Sequence, residues 1–421
     1  MMIQAKRGIP YIVVPAGALA LLYLVGTNRC YPIVDDSLPF ALSVHSNPEI
    51  HVHHLILVML AWLNKLLGFT DPDDVEKTLL LFRIYVAGSS FLGLYLVGTL
   101  SYKWFGSLRT AVVSILLTGF AAGYWLYSMI TDIPIPATAF ALLAVYFADR
   151  SFDDRPRGYI MLLLASFTIL VAALNHQAHS LVVIPITIVI LLWRRGPVKR
   201  RAARAIVFFA LTAVLGFSAF YSGYLAADTD SDFLTFIRGY QTRGKAFTTD
   251  RLQLLTPAHT VVGVTRAVLY PEYLLHFDSG YEWATKRFPF RLLAKYRYLT
   301  RNIPAAVIWI ALAISGALFM AWVFLTLRAL RCLRARAPDS PGFWMVLAWI
   351  VVQGLFSTWW LATSREFWIW AIPCMSLVGT GLAITTLRGR LSSLPWVLVV
   401  ALCAVNLPAL SSLWSEQNCL Y

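Results

Sequence analysis

Eleven runs of predominantly apolar residues, most of them near the length of a bilayer-crossing helix, constrain this chain more than any other feature. They lie at about 9–27, 79–100, 110–128, 133–149, 158–174, 180–193, 205–224, 303–328, 342–361, 367–386 and 393–411. A helix needs about 20 such residues to cross the hydrocarbon core, at a rise of about 1.5 Å per residue. Inside lipid every backbone N–H and C=O must be paired within the protein, which leaves helices or closed barrels. The runs are long and show no period-two alternation, so helices are predicted. Only 13% of the 421 residues are charged, against roughly 25% in soluble domains. The expected fold class is therefore an all-α polytopic membrane protein with about eleven transmembrane helices.

A twelfth apolar stretch, 52–68, decides the topology. If it lies along the surface, the short loops on one side collect Lys6, Arg7, Lys103, Arg109, Arg150, Arg155, Arg157, Arg194, Arg195, Lys199, Arg200, Arg201, Arg204, Arg328, Arg331, Arg334, Arg336, Arg388 and Arg390. That is the positive-inside pattern, and it breaks if 52–68 spans. The chain is thus expected to have a cytoplasmic N-terminus, a surface helix in its first outer loop and an external C-terminus. The first run lacks a small-x-small cleavage site followed by soluble sequence, so it is read as a membrane helix and not a cleaved leader. The organisation expected is a core at 1–224 with its first outer loop at 28–78, an outer-face loop with short helices at 225–302, and C-terminal membrane helices at 303–421. The net charge of +14 follows from the same loops, so no nucleic-acid partner is expected.

Five cysteines show no metal-ligand spacing. Cys332, Cys374 and Cys403 read as inert thiols, whereas Cys30 and Cys419 fall just beyond the first and last spans, where an oxidising compartment permits a disulfide. In 225–302 the aromatic content is too high for a disordered linker. Asp228, Asp230 and Asp232 lack the glycine and later glutamate of an EF-hand loop, and read as a solvated turn.

The topology puts several polar constellations on the outer side. The segment after the first span carries Asp35, Asp36, His45, Glu49, His51, His53 and His54. Adjacent carboxylates repel, so a partner is wanted: a cation, a metal, or an acceptor hydroxyl to deprotonate. His51 and His53 would share a face of an extended segment, but no firm four-ligand set exists, so capping or ligand contact is preferred to zinc. Asp132 opens a span, where it reads as a helix cap and also faces the outer side. Arg83 and Arg365 lie near outer helix ends; either snorkels to headgroups or offers bidentate phosphate binding. His176 and Gln177 end another span, with Glu366 beside Arg365. Their convergence on one side suggests a single site.

Taken in order, these motifs resemble the GT-C glycosyltransferases, in particular the branch of lipid A aminoarabinose transferases and protein O-mannosyltransferases. The resemblance runs over about 10–195 and 365–373: Asp35-Asp36 for the first-loop acid, His51 to Leu55 for the entry to the surface helix, Arg83 in LFRIYVAG, Asp132 in YWLYSMITDIPI, Asn175-His176-Gln177 for a Lys-Gly turn, and Arg365 to Pro373 for a charged-aromatic motif. Here histidines replace the family's prolines and the lysine is missing. The resemblance implies transfer of a sugar from a polyprenyl-phosphate carrier to a lipid, glycan or protein acceptor at the outer face, in a bacterial inner membrane. It implies Asp35 or Asp36 as general base with inversion, Arg83, His176 and Arg365 at the departing phosphate, and Asp132 and Glu49 orienting the acceptor or a histidine. It leaves open a divalent cation, magnesium or manganese. Two rivals remain: a lipid-linked saccharide transporter or flippase, and a polysaccharide polymerase or ligase using Arg238, Arg243 and Arg251. A noncatalytic subunit of a membrane complex is a third reading.

Overall fold

The computed structural model describes residues 2–27, 44–45, 54–69, 75–130, 132–152, 157–193, 197–227, 232–236, 256–287, 297, 300–362, 364–387 and 392–412. Helix α1 is Met2–Thr27. The short α2, Ile56–Leu66, leads to α3, Val75–Phe105. Then come α4, Leu108–Gly119, and α5, Ala122–Met129. They are followed by α6, Pro134–Arg150, α7, Gly158–Asn175, α8, Val183–Leu192, and α9, Val198–Ala226. Helices α10, Thr256–Val268, and α11, Asp278–Arg287, occupy the 225–302 region. The last group is α12, Ala305–Arg336, α13, Pro341–Leu361, α14, Ala371–Met375, α15, Gly381–Thr386, and α16, Leu394–Ser412.

Each of the eleven predicted spans is helical, but they are not equally long. Seven helices are long and apolar enough to cross a membrane, and the α4–α5 pair, bent by 65°, makes an eighth if it is one span. Helix α6 has 17 residues, and the segments Gln177–Leu192 and Leu394–Pro408 are shorter apolar helices. The count of eleven is therefore an upper reading, and the multi-pass membrane architecture is what length and composition support. At 11 residues α2 is too short to span. It buries Ile56, Leu57, Leu60 and Ala61 against the bundle and leaves Met59, Trp62 and Leu66 exposed, as a surface helix at a lipid boundary does.

Local chemistry sets the helix ends. Gly106, at φ +65°, makes the tight link between α3 and α4, and the Ser107 hydroxyl caps α4 by accepting the Thr110 N–H. Pro134 and Pro341 stand in first turns, where a missing N–H costs nothing. Helix α6 packs along α7 and α3, α1 against α3 and α4, and α12 against α16. The end of α6 is clasped to the start of α13 by Asp149. Its Oδ1 accepts the Ser340 hydroxyl at 3.0 Å and the Gly342 N–H at 2.8 Å, while Oδ2 pairs with Lys103 Nζ at 2.9 Å. Buried Asn406 on α16 donates to the carbonyls of Phe120, at the α4–α5 bend, and Val268, at the end of α10. These bonds satisfy backbone groups that a bend would otherwise leave unpaired in lipid. A π-helical turn, Ser376–Thr380, joins α14 to α15.

Candidate functional site

The polar constellation assembles at the end of the bundle opposite the Asp149 clasp. Helix α7 stops at Asn175, because His176 turns to extended backbone (φ −151°, ψ 112°) before the 3-10 turn Gln177–Val182. Asn175 is fully buried and fully used. Its amide donates back to Val171 O, its Oδ1 accepts the Tyr85 hydroxyl at 2.7 Å, and its backbone carbonyl meets His54 Nδ1 at 2.9 Å. A carbonyl only accepts, so His54 carries its proton on Nδ1. This bond ties the start of α2 to the end of α7. Beneath it, Leu55, Phe82, Ile133 and Leu174 share one apolar cluster, so the neighbours of His54, Arg83, Asp132 and Asn175 meet in the fold.

The imidazoles form a row. His54 and His176 have ring centroids 5.8 Å apart, and His176 and His179 5.5 Å. His179 is buried, with Nε2 3.2 Å from the Thr138 hydroxyl. Half-buried His176 faces Glu366, Nε2 to Oε1 at 3.8 Å, and packs edge-on to Phe367. Asp132 is buried and its Oδ1 accepts the Ile133 N–H at 2.7 Å. The expected helix cap is thus displaced: Ile133 occupies the cap position of α6, with no side-chain cap bond, and Asp132 bonds its immediate neighbour.

Arg365 leads the turn after α13. Tryptophan N–H groups frame that turn: Trp368 Nε1 donates to Ala362 O at 2.8 Å and Trp370 Nε1 to Phe367 O at 2.7 Å. The Arg365 guanidinium is 1% exposed and lies 5.1 Å over the Tyr270 ring. Its Nη2 is 2.6 Å from Glu272 Oε1, and the same oxygen accepts Arg266 Nε at 2.8 Å. Arg266 and Glu272 are also buried. Helix α10 reaches this turn closely: a Cβ on Gly263 would overlap the Ala362 carbonyl oxygen, and one on Gly123 would sit 3.3 Å from Arg365 Cγ.

Of the sequence-predicted residues, His54, Asp132, His176, Gln177, Arg83, Arg365 and Glu366 are described. His54, His176 and Glu366 form one neighbourhood, with Arg83 and Asp132 beside residues of the apolar cluster beneath it; Arg365 adjoins Glu366 along the chain, its guanidinium turned to Glu272 and Tyr270. Asp35, Asp36, Glu49, His51, His53, Cys30, Cys419, Asp228, Asp230, Arg238, Arg243 and Arg251 lie outside the described residues. Asp232 accepts the Thr235 N–H and hydroxyl just before the helical residues 233–236, which holds its carboxyl below the usual range. Among the described residues no three His, Cys, Asp or Glu side chains are grouped to hold a metal ion. Sequence reasoning missed Arg266 and Glu272. The signal was the YPEY stretch, a carboxylate enclosed by aromatic residues, where an acid without a partner would be costly. A mostly apolar cavity of about 320 Å³ opens between α4, α10, α12 and α13, lined by Leu117, Thr265, Val268, Phe319, Trp322 and Ile350.

No family model and no curated protein matches the sequence. Solved structures do. ArnT from Cupriavidus metallidurans bound to undecaprenyl phosphate aligns over 96% of this chain and 76% of its own, at 13% identity and a TM-score of 0.55. The Archaeoglobus fulgidus oligosaccharyltransferase, in complex with Zn and sulfate, aligns over 95% of this chain at 14% identity and a TM-score of 0.50. The chain shares its fold with these structures. The chain spans 53% of the length of that oligosaccharyltransferase. It aligns over 55% of its length with 35% of the matching chain of the Saccharomyces cerevisiae protein O-mannosyltransferase Pmt1-Pmt2 complex bound to the sugar donor, at 17% identity and a TM-score of 0.43. At these identities the likeness is one of architecture.

Proposed function

We propose that this chain is an integral-membrane glycosyltransferase that moves a sugar from a polyprenyl-phosphate carrier to a lipid, glycan or protein acceptor at the outer face of the membrane. The observation that carries the reading is the buried Arg365 guanidinium, held against Tyr270 and Glu272 beside the His176–Glu366 pair. Charged side chains are costly in a membrane bundle, and those retained mark pathways and sites. A guanidinium fixed at the end of a bundle suits the phosphate of a lipid carrier, which it meets with planar, bidentate geometry. The apolar cavity beside α10 suits the carrier's hydrocarbon chain, and the basic loops support a cytoplasmic N-terminus in a bacterial inner membrane.

In this reading Asp35 or Asp36 takes the proton of the acceptor nucleophile. The new bond forms at the anomeric carbon as its bond to the phosphate oxygen breaks, on the opposite face, so the configuration inverts. The electron pair leaves on the phosphate, where Arg83, His176 and Arg365 stabilise the developing charge. Asp132 and Glu49 orient the acceptor or a histidine. A magnesium or manganese ion belongs to this reading only at the Asp35–Asp36 pair.

The test is transfer from an undecaprenyl-phosphate-linked sugar by the purified full chain in liposomes. Asp35→Asn or Asp36→Asn abolishes transfer while the protein remains folded; full activity in both variants removes the base.

A further inference from the structure

One carboxylate oxygen in this molecule serves two guanidiniums. Glu272 Oε1 lies 2.6 Å from Arg365 Nη2 and 2.8 Å from Arg266 Nε, and all three side chains are at least nine-tenths buried. Arg266 and Glu272 come from the 225–302 region, at the end of α10 and in the 3-10 turn Pro271–His276; Arg365 comes from the turn after α13. Taking each ion out of water costs several kcal/mol, and apolar side chains of similar volume commonly tie two elements together equally well. The two elements are already tied by other means. Gly263 admits the Ala362 carbonyl, and the Thr260 hydroxyl donates to the Thr358 hydroxyl at 3.1 Å. Trp368 and Trp370 hold their own turn. Holding the backbone together therefore does not require the ions.

What the ions add is placement. A buried guanidinium serves a phosphate only where a fixed counter-charge keeps it within reach of the site. The Arg365 guanidinium lies 5.1 Å over the Tyr270 ring, and Glu272 Oε1 holds its Nη2 as an ion pair, without the N–H···O alignment of a hydrogen bond. The carboxylate also screens two cations that would otherwise repel each other at close range in a poorly polarisable interior.

We propose that Glu272 is a positioning residue: anchored by its hydrogen bond from Arg266 and paired with Nη2 of Arg365, it holds in place the guanidinium that receives the phosphate of the lipid carrier. This rests on the proposed function and adds to it a residue of the large outer loop, which thereby governs phosphate recognition without touching the substrate.

The experiment compares two probes, undecaprenyl phosphate and uncharged undecaprenol, binding to the purified full chain in nanodiscs. Glu272→Gln keeps the shape and removes the charge. It weakens undecaprenyl phosphate by about tenfold or more, the scale on which a buried charge pair acts, and leaves undecaprenol within about twofold. A merely structural role would lower both affinities together, and that result overturns the proposal, as does unchanged phosphate affinity. If the Gln variant fails to fold, Glu272→Asp, which is one methylene too short to hold both arginines, is read by the same two affinities. If the native chain itself prefers undecaprenol or does not distinguish the two lipids, the carrier reading fails first and Glu272 loses its role with it.

Discussion

Gly263→Ala is the change whose sign separates local preference from tertiary packing. Gly263 lies inside α10, and an alanine within a helix ordinarily stabilises it by about 1 kcal/mol. Here the added methyl group would overlap the Ala362 carbonyl oxygen and stand 2.5 Å from Trp368 Nε1 and 2.7 Å from Trp368 Cδ1. Two of those atoms are partners in the Trp368–Ala362 hydrogen bond, so neither yields cheaply. Overpacking of this kind costs about 1–3 kcal/mol, and loss of a buried hydrogen bond adds about 1 kcal/mol. Set against the gain in helix propensity, the net is a destabilisation of about 2 kcal/mol. The functional effect is larger, because α10 must retreat from the turn, taking Arg266 and Glu272 away from Arg365. In the proposed reading Arg365 meets the carrier phosphate, and a misplacement of about 1 Å there can cost about a hundredfold in rate. Thermal unfolding in detergent and initial transfer rates, measured on the same preparation, read the two effects. A Gly263→Ala protein as stable and as active as the native chain would refute the docking of α10 on the Ala362–Trp368 turn.

Asp149→Ala, at the opposite end, lowers stability by about 3 kcal/mol. About 1 comes from the lost cap of α13; the rest comes from the Lys103 partner, discounted because that lysine is 26% exposed. Transfer per folded molecule stays unchanged, and a specific loss of transfer would contradict the remoteness of the clasp. Arg365→Lys lowers affinity for undecaprenyl phosphate about tenfold, since an ammonium lacks the planar fork that meets Tyr270 and Glu272; direct lipid binding reports it. Arg83→Ala weakens the carrier in the same assay, and unchanged affinity would remove Arg83 from the phosphate. His54→Ala costs about 1 kcal/mol of stability through its bond to Asn175 O. In the proposed reading it also slows transfer, because that bond ties the first outer loop, at the start of α2, to the end of α7. Equal rates at matched folded protein would dismiss this anchor.

Much of the fold is legible from letters alone. The helical segments and the short surface helix α2 follow from windows of apolar residues and from where lysine and arginine interrupt them. The chain order of motifs points to polar residues sharing one end of the bundle; the structure joins His54, His176 and Glu366 there, and turns Arg365 to Glu272. The span lengths were less legible, because a bend such as that at Phe120–Ala121 is stabilised by a distant asparagine, Asn406. Asp132, before a proline-rich helix start, stands where a cap is expected, yet its carboxylate accepts the Ile133 N–H.

What the sequence determined by itself is partition: which segments enter lipid and which loops carry the basic charge. Transfer into a bilayer is nearly additive over about 20 consecutive residues, so a window suffices to read it. What only the tertiary structure decided is pairing. The Glu272 carboxylate meets Arg365, Asp149 meets Ser340 and Gly342, and a glycine in α10 makes room for a carbonyl beyond α13. Such contacts join residues far apart in the chain, and they exist because burial forces each charge and each backbone group to find a partner that no local pattern names.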